Sequence, residues 1–162
     1  MVAALAEERV PASPPGAAQL TLHNTHTGET LALGDWHNEA GTARTAASHL
    51  LRDHRDGAEH TIDPKLLDLL LDVAAACACP PVYEVISGYR SPSSNAAMHA
   101  RSAGVSAHSL HMQGQAIDVR LRGCPLERLR DAGLALGRGG VGYYPGPRFV
   151  HLDTGRPRRW EG

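Results

Sequence analysis

The sequence predicts an α+β domain, an antiparallel sheet with helices packed on it. Several short apolar stretches alternate with period two between turn residues, as in "QLTLHNTHTGETLAL", "AIDVRL" and "GGVGYYPGPRFVHLDTG". Two longer stretches carry apolar residues at helical spacing between an early proline and a late proline or glycine. Hairpins and turns join most of these elements, which favours antiparallel pairing. A chain of 162 residues suits one domain. We expect it at residues 19–162, behind a flexible arm at 1–18 that is rich in Pro, Ala and Glu and has no periodicity.

In chain order, Leu20, Leu22, Leu31 and Leu33 alternate on either side of Asn24–Gly28, a hairpin signature with His23 and His26 at its exposed end. Glu39 to His54 has helical composition and stops at Gly57. In "IDPKLLDLLLDVAAACACPP", Asp63 is placed to cap a helix, Pro64 suits its first turn, and Pro80 with Pro81 stops it. "VYEVISGY" reads as a strand, and "RSPSSN" leads into a short helix from Ser93 to Ser102 that Gly104 can close. Gly114 then permits a bend before "AIDVRL", in which Ile117, Val119 and Leu121 share one face while Asp118 and Arg120 share the other. "PLERLRDAGLALG" is an amphipathic helix. Two strands follow around Pro-Gly-Pro, with Phe149, His151 and Asp153 on one face of the second.

Composition excludes several functions. A net charge of -1 removes the electrostatic attraction that a nucleic-acid binder needs, and a single phenylalanine weakens any case for base stacking. The terminal "GRPRRW" is expected to be a solvated end. No stretch has the run of about eighteen apolar residues that a membrane span needs. The first residues, with acids directly after a short apolar run, do not read as a secretory signal. Cys77, Cys79 and Cys124 lack zinc-ribbon spacing and are expected as packed thiols, with a Cys124 bridge as the alternative in an oxidising compartment.

In "SLHMQGQAIDVRL", His111 stands seven positions before Asp118. Spacing alone is weak, because ten histidines and nine aspartates give about 0.6 such pairs at any chosen interval. His49 and Asp56 are also seven apart, but in a helix that separation is two turns, about 10 Å of rise. His111 and Asp118 instead straddle a glycine bend that lets two segments converge. Burying a carboxylate between Ile117 and Val119 is costly unless it is paired or metal-bound. A catalytic zinc takes three protein ligands and keeps one open position, and His151, among Phe149, Val150 and Leu152, is the best third donor. The alternative is a loop-capping His111, an Asp118–arginine pair and a core His151. His108 and His99 read as surface or rim residues.

Together, "YEVISGYRSPSSN", "SLHMQGQAIDVRL", "GGVGYYPGPRFVHLDTG" and the closing "RRW" resemble the murein endopeptidase K (YcbK-like) group of zinc peptidases, relatives of D-Ala-D-Ala carboxypeptidases and VanX. "LTLHNTHTGE" and "RDHRDG…IDPKLLDLL" extend the likeness over most of residues 20 to 160. The resemblance implies a hedgehog/D,D-peptidase fold and a periplasmic, Zn2+-dependent endopeptidase acting on peptide cross-links of peptidoglycan. It implies His111, Asp118 and His151 as zinc ligands, and Arg90 as the arginine that holds substrate or the developing oxyanion. Ser106 and His108 depart from the residues usual in the group.

A metal-activated water needs a general base. Related enzymes place a Glu or His at the third or second position before the last ligand, where this chain has Arg148 and Phe149. Asp153, two residues past His151 on the same face, is the leading candidate, with orientation of a ligand as its alternative role. For Arg90 the alternative is a salt bridge to Glu84 or Asp118; of Tyr143 and Tyr144, one is expected in the groove and one in the core. Ser109 is expected to hydrogen-bond near the first ligand. Two other functions compete with the endopeptidase, a zinc-stabilised module that binds cell wall or a protein without cleaving, and a D,D-carboxypeptidase.

Overall fold

In the computed structural model, which describes residues 19–37, 41–102 and 104–162, one sheet of seven strands organises the chain. In sequence order the elements are β1 (Leu20–Asn24), β2 (Thr30–Leu33), α1 (Thr42–Leu50), α2 (Pro64–Ala76), β3 (Val82–Ser87), α3 (Pro92–Arg101), β4 (Ala116–Leu121), α4 (Leu126–Leu136), β5 (Gly140–Tyr144), β6 (Phe149–Asp153) and β7 (Arg158–Glu161), with a 3-10 turn at Leu110–Gln113. The spatial order is β2-β1-β3-β4-β6-β5-β7.

The sheet is mixed, which corrects the expectation of a purely antiparallel one. β1 and β3 run parallel because α1 and α2 lie between them and return the chain in its original direction. β7 runs parallel to β5: the turn after β6 reverses the chain, and β4 already occupies the other edge of β6. The remaining pairings are antiparallel. The end expected to be solvated is largely exposed, and it also forms a strand: residues 158–161 extend the sheet, and Trp160 lies directly opposite Gly142.

α2 and α4 cover one face of the sheet, and the core lies between. Asp63 caps α2 by accepting the Lys65 amide, and Pro64 takes the first turn. Leu66, Leu67, Leu70 and Val73 are at most 1% exposed, and burial of such a side chain contributes roughly 1.5–3 kcal/mol. Against them lie alternate residues of the strands, Ile117, Val119, Val150 and Leu152, all fully buried. By the same alternation the intervening residues, Asp118 and His151, face away from these helices, toward α3 and the 3-10 turn.

Local differences have local causes. α1 is shorter than expected, Thr42–Leu50, and its expected start at Glu39 lies outside the described residues, as do the arm at 1–18 and residue 103. α3 ends at Arg101, one residue before the expected Ser102, which stands in extended backbone as its cap; Gly104 does not provide a left-handed one. The three cysteines are free thiols; Cys77 is buried, with Sγ 3.7 Å from the Arg128 carbonyl.

Gly114 is the joint between the 3-10 turn and β4. Its φ of +65° lies in the left-handed region, and a Cβ there would stand 2.2 Å from the Thr61 carbonyl oxygen. Its own carbonyl accepts the Asp63 amide at 2.9 Å, tying the bend to the cap of α2. Gly114→Ala is expected to destabilise the fold by about 2 kcal/mol or more, measured by urea unfolding. An unchanged midpoint would contradict the joint's role.

Candidate metal centre

The site is built on one row of residues running across five strands. Ser87 on β3 pairs with Asp118 on β4, Asp118 with His151 on β6, His151 with Gly142 on β5, and Gly142 with Trp160 on β7. Residues directly opposite each other in a sheet present their side chains on the same face. Register alone thus sets Asp118 beside His151. Gly142 leaves room in the row: a Cβ there would meet the Trp160 ring at 2.6 Å, so its absence lets the indole lie 5.0 Å from the His151 ring, centroid to centroid.

His111 arrives from the 3-10 turn. The Ser109 hydroxyl accepts the His111 amide at 3.3 Å, as expected of Ser109, and Gly114 closes the turn. His111 Nε2 lies 3.3 Å from Asp118 Oδ1 and 3.2 Å from His151 Nδ1, and that Nδ1 lies 2.9 Å from Asp118 Oδ1. The three residues are 2%, 6% and 8% exposed for His111, Asp118 and His151.

The outer hydrogen bonds decide which atoms face inward. His111 Nδ1 stands 2.7 Å from the Gly88 carbonyl, which only accepts, so this nitrogen carries the proton and Nε2 offers a lone pair. His151 Nε2 donates to Asp153 Oδ2 at 2.9 Å, which turns Nδ1 toward Asp118 and His111. Burial drives the His111 ring to its neutral form against the pull of Asp118. For His151 burial is outweighed by the hydrogen bonds to Asp118 and Asp153, which raise its pKa. Burial alone would raise that of Asp118, yet the two histidines hold it well below the usual carboxylate range. Three electron-pair donors thus point at one spot, with at most one proton to share among them. Tetrahedral ligands about 2.0–2.1 Å from a zinc ion stand roughly 3.3–3.4 Å apart, and the observed spacings of 2.9, 3.2 and 3.3 Å suit such an ion. Two nitrogens and one carboxylate oxygen also match zinc chemically.

The group opens into a cleft of about 440 Å³ lined by Arg90, His108, Tyr144, Phe149, Arg158 and Trp160 among others. Arg90 is 6% exposed; its Nη1 donates to Asn95 Oδ1 at 3.2 Å, and its Nη2 lies 3.8 Å from Asp118 Oδ2. Its Nε is buried with no hydrogen-bond partner among the described residues. Glu84 pairs instead with Arg120, at 3.5 Å. Tyr144 lines the cleft, while Tyr143 is buried with its hydroxyl on Glu127. His108 stands on the exposed rim, and His99 binds the Val105 carbonyl.

Asp153 is on the His151 side of the strand but wholly buried, with five donors on its two oxygens. Oδ1 accepts the amides of Gly140 and Gly155 and Nη1 of Arg158, and Oδ2 accepts His151 and Nη2 of Arg158, all within 3.0 Å. Burial opposes its charge, but His151 and Arg158 keep its pKa far below the ordinary value. The spacing that put it near His151 holds; a carboxylate so engaged is poorly placed to take a proton from water. His49 and Asp56 are not brought together: His49 pairs with Glu59 and Asp56 with Ser91.

This arrangement coincides with a sequence relationship. Residues 12–160 match the family model Peptidase_M15_2, described as peptidoglycan L,D-endopeptidase MepK. The chain belongs to this family. It is 39% identical over 150 residues to the peptidoglycan L,D-endopeptidase MepK of Escherichia coli K12, an alignment covering 91% of this chain and 82% of the relative. A protein of Haemophilus influenzae named as a probable peptidoglycan L,D-endopeptidase MepK is 38% identical over 154 residues, covering 93% and 82%. No solved structure matches the chain.

Arg158 and Trp160 are the cleft residues that motif reading missed. Arg158 engages Asp153 and packs over the Trp160 ring at 5.0 Å, and Trp160 Nε1 donates to the Tyr144 hydroxyl at 2.8 Å. The one signal for them was the closing "RRW" of the family resemblance. Asp118→Ala is expected to abolish high-affinity zinc binding while the fold persists, checked by metal analysis after dialysis and by circular dichroism. Full zinc occupancy in that variant would remove Asp118 from the ligand set.

Proposed function

We propose that this chain is a zinc-dependent murein endopeptidase that hydrolyses peptide cross-links of peptidoglycan, with His111, Asp118 and His151 holding the metal. The observation that carries the reading is the convergence of these three donors at the floor of an open cleft, in a member of the MepK family. The relatives' names specify L,D-endopeptidases, so the bond we assign is one between an L- and a D-configured centre, as between two diaminopimelate residues. Such a substrate lies outside the cytoplasmic membrane, which makes this an exported, periplasmic protein. Residues 19–162 are then the peptidase domain and 1–18 an arm ahead of it.

A bound zinc polarises the scissile carbonyl and lowers the pKa of its water toward neutrality. Arg90 lines the same cleft, its guanidinium held by Asn95, and is the cation placed to meet a substrate carbonyl or the oxyanion that develops from it. Tyr144, Phe149 and Trp160 give the cleft its aromatic lining, with Tyr144 and Phe149 stacked at 4.5 Å. For Asp153 we favour orientation of His151 over the base role: the carboxylate fixes the proton on Nε2 and leaves Nδ1 for the metal, an arrangement that raises ligand basicity.

Purified peptidoglycan incubated with the zinc-loaded protein is expected to release monomeric muropeptides from cross-linked dimers, and a chelator should stop this. Intact dimers would leave a non-cleaving binding module; release of terminal D-Ala alone would indicate a carboxypeptidase. Asp153→Asn is expected to weaken zinc affinity by roughly 10–100-fold while turnover recovers at saturating zinc. Complete loss of turnover with zinc bound would return the base role to Asp153.

A further inference from the structure

Trp160 and Tyr144 share a hydrogen bond in the cleft that holding a metal does not require. The indole Nε1 donates to the Tyr144 hydroxyl at 2.8 Å. An indole N–H can only donate, so the direction of this bond is fixed and the tyrosine oxygen accepts. A phenol carries one proton of its own, in the plane of the ring on one of two sides. With one side facing the indole, the proton lies on the other, and among the described residues no acceptor takes it. Tyr143, the preceding residue, differs: its hydroxyl donates to Glu127 at 2.9 Å, so that proton is engaged.

The pair is held in place from several directions. The Tyr144 ring stacks on Phe149 with centroids 4.5 Å apart. The backbone at Gly162 comes so close to it that a Cβ there would stand 2.5 Å from Cε1. The indole centroid lies 5.0 Å from Arg158 Cζ and 5.0 Å from the His151 ring. Its Nε1 stands 2.7 Å from where a Cβ of Gly142 would be, and Gly142 is directly opposite His151. The hydroxyl is therefore one hydrogen bond away from an atom beside the row of candidate ligands, and it lines the cleft from the β5–β7 side. Arg90 reaches the same cleft from just after β3, with β4 and β6 between β3 and β5 in the sheet. A peptide whose scissile carbonyl lies at the cluster and beside Arg90 thus offers Tyr144 a different oxygen, and every peptide unit of a cross-link carries one such acceptor.

We propose that Tyr144 is a substrate-binding residue: its O–H, turned by Trp160, donates to a peptide carbonyl that flanks the scissile bond of the cross-link, and Trp160 is the positioning residue that sets this proton. The substrate class rests on the proposed function.

The test sets kinetics beside binding on the zinc-loaded protein. With a cross-linked muropeptide dimer, Tyr144→Phe is expected to raise KM about threefold to tenfold and to leave kcat and zinc content within about twofold, as for a hydrogen bond made equally in ground and transition states. Trp160→Phe keeps a ring beside His151 and Arg158 but has no N–H, and should raise KM about threefold. In a Tyr144→Phe background the same change should cost less than about 1.5-fold, because both substitutions act on one proton. Calorimetry supplies a readout apart from turnover. A dimer analogue with CH2–NH in place of the scissile amide keeps the flanking carbonyls, and its affinity should fall with Tyr144→Phe by the same factor as KM rises. A fall in kcat at constant KM, an unchanged affinity for the analogue, or losses that multiply in the double variant would overturn the proposal. Loss of zinc from either single variant would do the same, assigning the pair to the scaffold. A wild-type chain that binds the dimer without cutting it would instead sink the proposed hydrolysis, and the calorimetric effect of Tyr144→Phe would still decide the role of Tyr144.

Discussion

The register between β4 and β6 is the constraint on which the site depends. Asp118 faces His151 because Ile117 faces Leu152 and Val119 faces Val150, and those four apolar side chains must all reach the helices on the other side of the sheet. A slip of one residue would expose the apolar set and turn Asp118 into the core. The hydrophobic effect, which does not act between Asp118 and His151, is thus what sets them side by side. Only His111 comes from outside the sheet, and for it a glycine bend and a backbone carbonyl take over the task of fixing position and tautomer. The proton-bearing nitrogens point outward to Gly88 and Asp153, so the inward-facing donor atoms are set by the protein alone.

What could be read in the sequence follows from which forces are local. The α2 helix was legible because Asp63, Pro64 and the leucine spacing state its start and its buried stripe within one stretch. β4 and the β5–β6 pair were legible from alternation and from Pro-Gly-Pro, and the bend at Gly114 from a single residue type. β7 was not, since Arg158, Arg159, Trp160 and Glu161 show no apolar alternation. That strand exists because β5 has a free edge and because Gly142 makes room for an indole, both properties of distant residues. The parallel β1–β3 pairing was hidden for a similar reason, as it depends on where two intervening helices deliver the chain.

The ligand set and the base candidate show the same division. Alternation correctly put Asp153 on the face of His151, yet face alone does not say whether a carboxylate looks into a cleft or lies behind a ring. That is decided by Arg158 and by the amides of Gly140 and Gly155, none of which the spacing reveals. His49 and Asp56 share the seven-residue interval of His111 and Asp118 but lack a bend that would bring them together, and each has found another partner.

The charges around the site follow from the same geometry. Arg90 and Asp118 stand on one side of the ligand cluster, Asp153 and Arg158 on the other, so two cations and two anions nearly cancel before a metal enters. A divalent ion held by His111, Asp118 and His151 would leave a net positive centre in a cleft whose floor is removed from water, where charges act more strongly than in bulk solvent. Such a centre would favour an anionic tetrahedral species over the neutral peptide bond from which it forms, the difference in binding that the proposed hydrolysis needs. Arg158, at the edge of the same cleft, neutralises Asp153, so that carboxylate can hold His151 without adding a net negative charge beside the cluster. The last strand of the sheet, the least legible in the sequence, thereby becomes part of the electrostatics of the candidate metal centre.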